Sequence, residues 1–339
     1  MALPSRTGRE TFAMSSASSA VDLFGLDPAT WTRPVLHAGD RVWTETNCYV
    51  DLWAELLPAL GHPAEAALSF AVLQDFEGDH FTFFKFPLDD LRVLFGLAVQ
   101  ELAIYDSVET HALEQLGRGR PVLIEVDAHW LPDVDLAYRR QHVKTTVAAV
   151  ALDPAARRLG YFHSVGYHVL EGEDYDGLFR SRVMPGALFP YVEFVKRDGK
   201  ALAGEGLVAA SVDLLRLHLK HRPASNPVTN WRIALPLHFE RLAARDSDFF
   251  HLYAFNLPRQ LGANFEMLGT YLHWLGAHGE DGLAEAALAS RRIAEAAKTL
   301  QFLLARMAHR RKFDAAAMKL GPIEADYAFI MSTLAARFP

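Results

Sequence analysis

The feature that most restricts what this chain can fold into is a change of texture near residue 200. Before it, short apolar and β-branched runs alternate with turn residues. After it, strand signals stop and apolar residues recur at helical spacing. Helices are expected over roughly 203–220, 231–247, 249–276 with a kink near Pro258, 281–310 and 322–337. With 339 residues the chain is expected to form two domains. The expected plan is a mobile tail over 1–20, an α+β domain over 21–199 and an all-α helical bundle over 200–339. No repeat of fixed period is present, so a solenoid is not expected.

Half of the residues are apolar and 22% are charged, the make-up of an ordinary globular protein. A formal charge of -7 gives no reason to expect nucleic acid as a partner. The stretch Met1 to Ala20 is polar and Ser/Ala-rich, without the apolar centre of a signal peptide. No run approaches the roughly 20 apolar residues that span a bilayer. The expectation is a cytoplasmic protein without a membrane partner. A single cysteine rules out an intramolecular disulfide and a cysteine-based zinc site, and fits a reducing compartment.

That cysteine, Cys48, lies in Trp43-Thr-Glu-Thr-Asn-Cys-Tyr-Val-Asp-Leu-Trp53. Thr46 or Asn47 can cap a helix there. Leu52, Trp53, Leu56, Leu57 and Leu60 then follow at helical spacing, and Gly61 with Pro63 ends the run. A thiol on the first turn of a helix meets the positive end of the macrodipole, which favours thiolate. The alternative is a small buried apolar residue, the usual fate of a free cysteine. Downstream, Asp75-Phe-Glu-Gly-Asp79 reads as a turn and His80 to Phe86 as an aromatic strand. A helix is expected over Leu88 to Phe95, a strand over Val99 to Tyr105 and a helix over 108–117. Gly119-Arg-Pro leads into Val122-Leu-Ile-Glu-Val-Asp127, a buried strand. Val143 to Leu152 and Leu159 to Val165 form a hairpin across the turn Asp153 to Arg158, and Glu171 to Phe179 reads as a loop running into a short helix.

A cysteine nucleophile needs a base, and a third group to orient the base. His142, at the start of the first hairpin strand, is the favoured base. His129, in a loop before Leu131-Pro132, and His168, after Gly166, are its rivals. Asp127 can orient His142, or simply cap its loop. The Cys48 N–H and Asn47 or Thr44 are the candidates for an oxyanion hole. No His-Glu-x-x-His pattern, calcium loop or glycine-rich phosphate loop is present, so neither a metal nor a cofactor is expected. Arg139, Arg140, Lys144, Arg157 and Arg158 border the hairpin. They form either a solvated face or an attraction for an anionic partner, with Arg139 and Arg140 as binding candidates. The basic run Arg306 to Lys312 is accounted for by the dipole of the helix it ends.

Cysteine at a helix start, then histidine at a strand start, then a polar residue on the next strand is an order that resembles the papain-like fold. Asn47-Cys48, Gly119-Arg-Pro-Val122, Asp127, Leu131-Pro132 and His142 resemble, in sequence order, the BtrH-type acyltransferases of aminoglycoside biosynthesis, a branch of that fold. The resemblance covers about the first 190 residues. It implies a papain-like domain that moves an acyl or aminoacyl group from a carrier-protein thioester, held on phosphopantetheine, to a small amine. At the third catalytic position that family tends to have Asp, and this chain offers His163 and Ser164. An amide or peptide hydrolase and a catalytically silent binding protein are the alternatives. Thr46-Asn-Cys-Tyr-Val-Asp-Leu-Trp53, Asp75-Phe-Glu-Gly-Asp79 and Tyr191-Val-Glu-Phe-Val-Lys196 also resemble a bacterial family of uncharacterised proteins that extends over nearly the whole chain.

Overall fold

The fold is that of a computed structural model, described over residues 20–179 and 189–339. The expected tail at 1–20 therefore lies, but for its last residue, outside the described residues. The first half is built on an antiparallel sheet. Its strands are β1 (Val21–Asp22), β2 (Leu97–Glu101), β3 (Val122–Asp127), β4 (Lys144–Asp153), β5 (Arg158–Phe162), β6 (Tyr167–Glu171) and β7 (Val192–Arg197). The spatial order is β2-β7-β3-β4-β5-β6, with β1 beside β4. The central strand β4 pairs with β3 from Val122↔Ala149 to Asp127↔Lys144, and with β5 across a bulge between Ala149 and Ala151.

Both faces of this sheet are covered, which is why β4 reads as an almost unbroken apolar and β-branched run. Helix α1 (Cys48–Ala59) lies against β4. On that side Leu123, Ala148, Val150 and Phe162 join one apolar core. On the other side Val122, Ile124, Val147, Ala149 and Tyr161 join a second core, closed by α3 (Val108–Gly117) and α4 (Gly172–Phe179). Alternation along β4 thus sends Thr146 toward α1 and Thr145 away from it. Helix α2 (Leu88–Phe95) ends on Gly96, whose left-handed φ of 62° and close approach to Gly199 leave no room for a side chain.

The second half is helical: α5 (Gly204–His221), α6 (Pro227–Ala243), α7 (Ser247–Ala254), α8 (Gln260–Ala277), α9 (Ala284–Arg310) and α10 (Gly321–Arg337). The kink expected near Pro258 is a single π turn over Phe255–Arg259, between α7 and α8. No described helix is long and apolar enough to cross a membrane. One core runs through both halves, from Val50 and Trp53 to Trp231, Phe265 and Leu304. Polar contacts cross the same boundary. His218 bonds Asp90 at 2.8 Å, Ser211 donates to the Ala66 carbonyl at 2.7 Å, and Asn264 donates to the Ala71 carbonyl at 2.8 Å. Ahead of α1, the Glu266 carboxylate accepts the N–H groups of Val42 and Trp43 at 2.7 and 2.8 Å, and the Trp43 indole donates to the Ala294 carbonyl.

Three sequence expectations change. His80 to Phe86 is not a strand: Phe76 and Phe81 form only an isolated bridge, and Phe81 donates its N–H to Asn256 and packs on Trp231. Its aromatics serve the core shared with the helical half. Residues 167–171, of which only Glu171 was read, as the start of a loop, form the edge strand β6, and 192–197, where no strand was expected, form β7.

Helix α1 is buried along most of its length, including Asp51 and Glu55. Two buried carboxylates require partners. His37 donates to Glu55 at 2.5 Å and lies 3.4 Å from Asp51. Trp31 donates to Glu55, and the Thr46 N–H and hydroxyl donate to Asp51. Burial alone would lower the His37 pKa, but the hydrogen bonds and charges of Asp51 and Glu55 outweigh it and raise the value to about 9. Because the folded value lies above the ordinary 6.5, this stabilisation is full below about pH 6.5 and is lost as pH rises through about 9. Urea unfolding is therefore expected to show a loss of order 3 kcal/mol between those limits, absent in His37→Gln. A second prediction concerns Gly262, where an added Cβ would meet the fixed Trp43 ring at 2.3 Å. Gly262→Ala is expected to cost about 1–3 kcal/mol in the same assay.

Candidate functional site

Cys48 is the first residue of α1 and is partly exposed. Of the two possible caps the structure uses Asn47: its side-chain oxygen accepts the Val50 N–H at 3.0 Å, and its amide donates to the Phe84 carbonyl at 3.0 Å. Thr46 is instead held by Asp51. With both ends of the Asn47 side chain engaged, the Cys48 backbone N–H is the freer donor at this turn. Cys48 Sγ lies 3.9 Å from the Thr146 hydroxyl, in reach of a weak S–H donation.

Asp127 closes β3 on the same side of the sheet. One of its oxygens accepts the N–H groups of His129 and Val143 at 3.1 and 3.2 Å, and the other accepts from His142 Nδ1 at 2.6 Å. Partial burial would raise the Asp127 pKa, but the bond from His142 and those backbone donors bring it below the ordinary carboxylate range. The His142 side chain is 74% exposed, and its ring stacks on His129 with centroids 4.4 Å apart. The Lys144–Glu125 ion pair, 2.8 Å long, lies on the same face between Thr146 and His142. Successive same-face residues on an extended strand are about 7 Å apart. Going along β4, this face thus carries Cys48 over Thr146, then Lys144, then the Asp127–His142 pair. Cys48 and His142, both among the described residues, share no hydrogen bond.

His163 is placed elsewhere. Its Nδ1 bonds Asp133 at 2.5 Å and its Nε2 bonds the Thr145 hydroxyl at 2.8 Å. Tyr161 donates to the other Asp133 oxygen, and His168 bonds the His163 carbonyl at 3.2 Å. Burial opposes the Asp133 charge, yet the His163 bond and charge hold its pKa low. Thr145 and Tyr161 belong to the side of the sheet away from α1, so this buried network faces away from Cys48. Ser164, with φ of 45°, forms the left-handed corner between β5 and β6. Arg139 lies on the ring of Trp130 and pairs with Asp174 at 2.5 Å, which engages its guanidinium. Arg140 is exposed.

Two groups near Cys48 escaped the sequence reading. Thr146 carried a signal, since the alternation of β4 puts it on the side of the α1 helix. The other is Glu193, buried on β7, which accepts the hydroxyls of Tyr49 and Tyr191 at 2.9 and 3.0 Å. Burial and that carboxylate push the Tyr49 pKa far up, so its phenol stays protonated. Lys85 sits 4.6 Å from the centre of the Tyr49 ring. Glu193 had no readable signal because β7 itself was missed. Among the described residues, no group of three or more His, Cys, Asp or Glu side chains is arranged to hold a metal ion.

No curated protein matches this chain. Two family matches account for most of its length, the DUF1839 N-terminal domain over residues 32–197 and the DUF1839 C-terminal domain over residues 204–336. The first contains Cys48, Asp127 and His142, and the second the helices that hold the segment ahead of Cys48. The chain belongs to the DUF1839 family.

Proposed function

We propose that this protein is a cysteine-dependent acyl- or aminoacyltransferase with a papain-like N-terminal domain. One observation carries the reading: a cysteine on the first turn of a helix and a histidine oriented by a carboxylate lie on the same face of one sheet. The BtrH-type resemblance of Asn47-Cys48, Asp127 and His142 supplies the reaction class and the donor, a thioester on the phosphopantetheine of an acyl or aminoacyl carrier protein.

In this reading His142 Nε2 takes the Cys48 proton while Nδ1–H stays on Asp127. The sulfur attacks the thioester carbonyl, and the Cys48 N–H donates to the oxyanion. The donor C–S bond breaks and the carrier thiol leaves with the proton from His142. The small amine then attacks the acyl-Cys48 carbonyl, His142 accepts its proton, and the Cys48 sulfur is released. Water in place of the amine would make the protein a hydrolase. Two same-face steps along β4, about 14 Å, separate Thr146 from His142, so this reading requires the segment that carries the Asp127–His142 pair to shift toward Cys48 as substrate binds. The contact of Cys48 with Thr146, with no hydrogen bond to His142, favours a second reading, a silent papain-like fold that binds a partner.

Intact-protein mass spectrometry after incubation with aminoacyl thioesters of N-acetylcysteamine separates these readings. The acyl adduct is expected on the wild type and absent from Cys48→Ala. Its formation should slow by about 10²-fold or more in His142→Gln and by at least about tenfold in Asp127→Asn. An adduct released by water at the same rate whatever amine is present would establish the hydrolase. No adduct with any donor, together with a thiol that resists alkylation, would leave only the binding protein.

A further inference from the structure

The turn Asp75 to Asp79 meets the helical half around a cavity whose lining does not include Cys48. Its volume is about 470 Å³, and α6, α7 and the π turn form its other walls. One wall is apolar, made by Phe249, Leu252 and the buried Leu257; Leu252 is left 63% exposed at its edge. The polar groups are few and of opposite sign. Arg241 lines the cavity from α6 and is exposed. Asp79 lines it from the turn, with one oxygen accepting from His80 Nδ1 at 2.6 Å. That bond and the nearby charges of His80 and Arg241 hold the Asp79 carboxyl below its ordinary range. Arg241 and Asp79 face the same space, and no ion pair joins them among the described residues.

Apart from His80, already bonded to Asp79, the remaining polar groups are His238, Tyr253 and Asn256. Burial pushes the His238 imidazole toward its neutral form, in which Nε2–H donates to the Gly78 carbonyl at 3.2 Å and Nδ1 accepts from the Tyr253 hydroxyl at 3.1 Å. This pins the turn to α6. Asn256 spends its amide N–H on the Leu252 carbonyl, and its Oδ1 accepts no hydrogen bond among the described residues. Asn256 and Leu257 belong to the π turn, a backbone form often found where a ligand binds.

We infer that this cavity binds a free α-amino acid with an apolar side chain. A guanidinium is matched to a carboxylate in forked geometry. The second oxygen of Asp79 and Oδ1 of Asn256 are acceptors suited to an ammonium group. The apolar wall takes the side chain, and the volume is that of a small-molecule site. A purely anionic ligand would meet Asp79 and a purely cationic one would meet Arg241; a zwitterion satisfies both. The π turn that lines the cavity continues toward the segment ahead of Cys48. Arg259, the last residue of the π turn, donates from Nε to the Thr46 carbonyl at 3.0 Å, two residues before Cys48.

Calorimetric titration of the full chain with L-leucine and L-phenylalanine tests the inference without any acyl transfer. Saturable binding is expected, weakened about tenfold or more by Arg241→Gln and by Asp79→Asn, and unchanged in Cys48→Ala. The analogues 4-methylpentanoate and 3-methylbutylamine, each lacking one charge, should bind at least about tenfold more weakly than leucine. Thermal unfolding verifies that the two surface variants keep the fold. No saturable binding of either amino acid, equal binding of the analogues, or binding that survives both substitutions would overturn the assignment.

Discussion

Helix α1 is buried on every side through its first ten residues after Cys48, apart from Pro58 in its last turn, and it carries two carboxylates into that interior. An unpaired charge in such a place costs several kcal/mol, so the partners of Asp51 and Glu55 are conditions of the fold. His37, Trp31 and Thr46 meet them. The approach to the helix is fixed in the same way from the helical half, by Glu266 on the backbone of Val42 and Trp43 and by Arg259 on the Thr46 carbonyl. The two family domains meet between residues 197 and 204, yet they share one apolar core. Cys48 is therefore positioned by residues of both domains, and the helical half is part of the machinery that sets its sulfur against the sheet.

The second organising constraint is the two-residue period of β4. Thr145 and Thr146 are neighbours in sequence, and the pleat assigns them to opposite networks. Thr146 lies beneath Cys48, and Thr145 accepts a place in the buried His163–Asp133–Tyr161 set. A slip of one residue in register would exchange them. The two histidines differ accordingly. His163 is buried with both ring nitrogens engaged, the condition of a group that holds strands and loops together. His142 is exposed, with Nδ1 on a carboxylate and no hydrogen bond at Nε2 among the described residues. Of the two, only His142 has the exposure that the proposed acid–base role requires.

Much of this was legible from local chemistry. The Cys48 helix, the β3 and β4 strands, the Asp127–His142 pairing and the change to helices near residue 200 rest on caps, periodicity and turn residues, which short windows report. What was missed depends on distant partners. Phe81 and its aromatic neighbours have the composition of a strand, but Trp231 and Asn256, far along the chain, claim them for the core between the halves. Strand β7 carries Glu193 and Lys196 among its apolar residues, and its place between β2 and β3 is known only once the sheet is assembled. The assignment of His163 to the far face needed the register of β4 against β5. The choice of Asn47 over Thr46 as cap needed the position of Asp51 relative to Thr46.

The central claim is that Cys48 and His142 act as a pair on one face of the sheet. The rate of Cys48 alkylation by iodoacetamide, followed against pH in the wild type and in His142→Gln, tests it most directly, because Cys48 is the only cysteine in the chain. The account predicts a thiol that reacts faster near neutral pH in the wild type, with a pH profile that changes shape when His142 is replaced. Superimposable profiles for the two proteins would contradict it, and would make Cys48 a residue that serves packing against Thr146 alone.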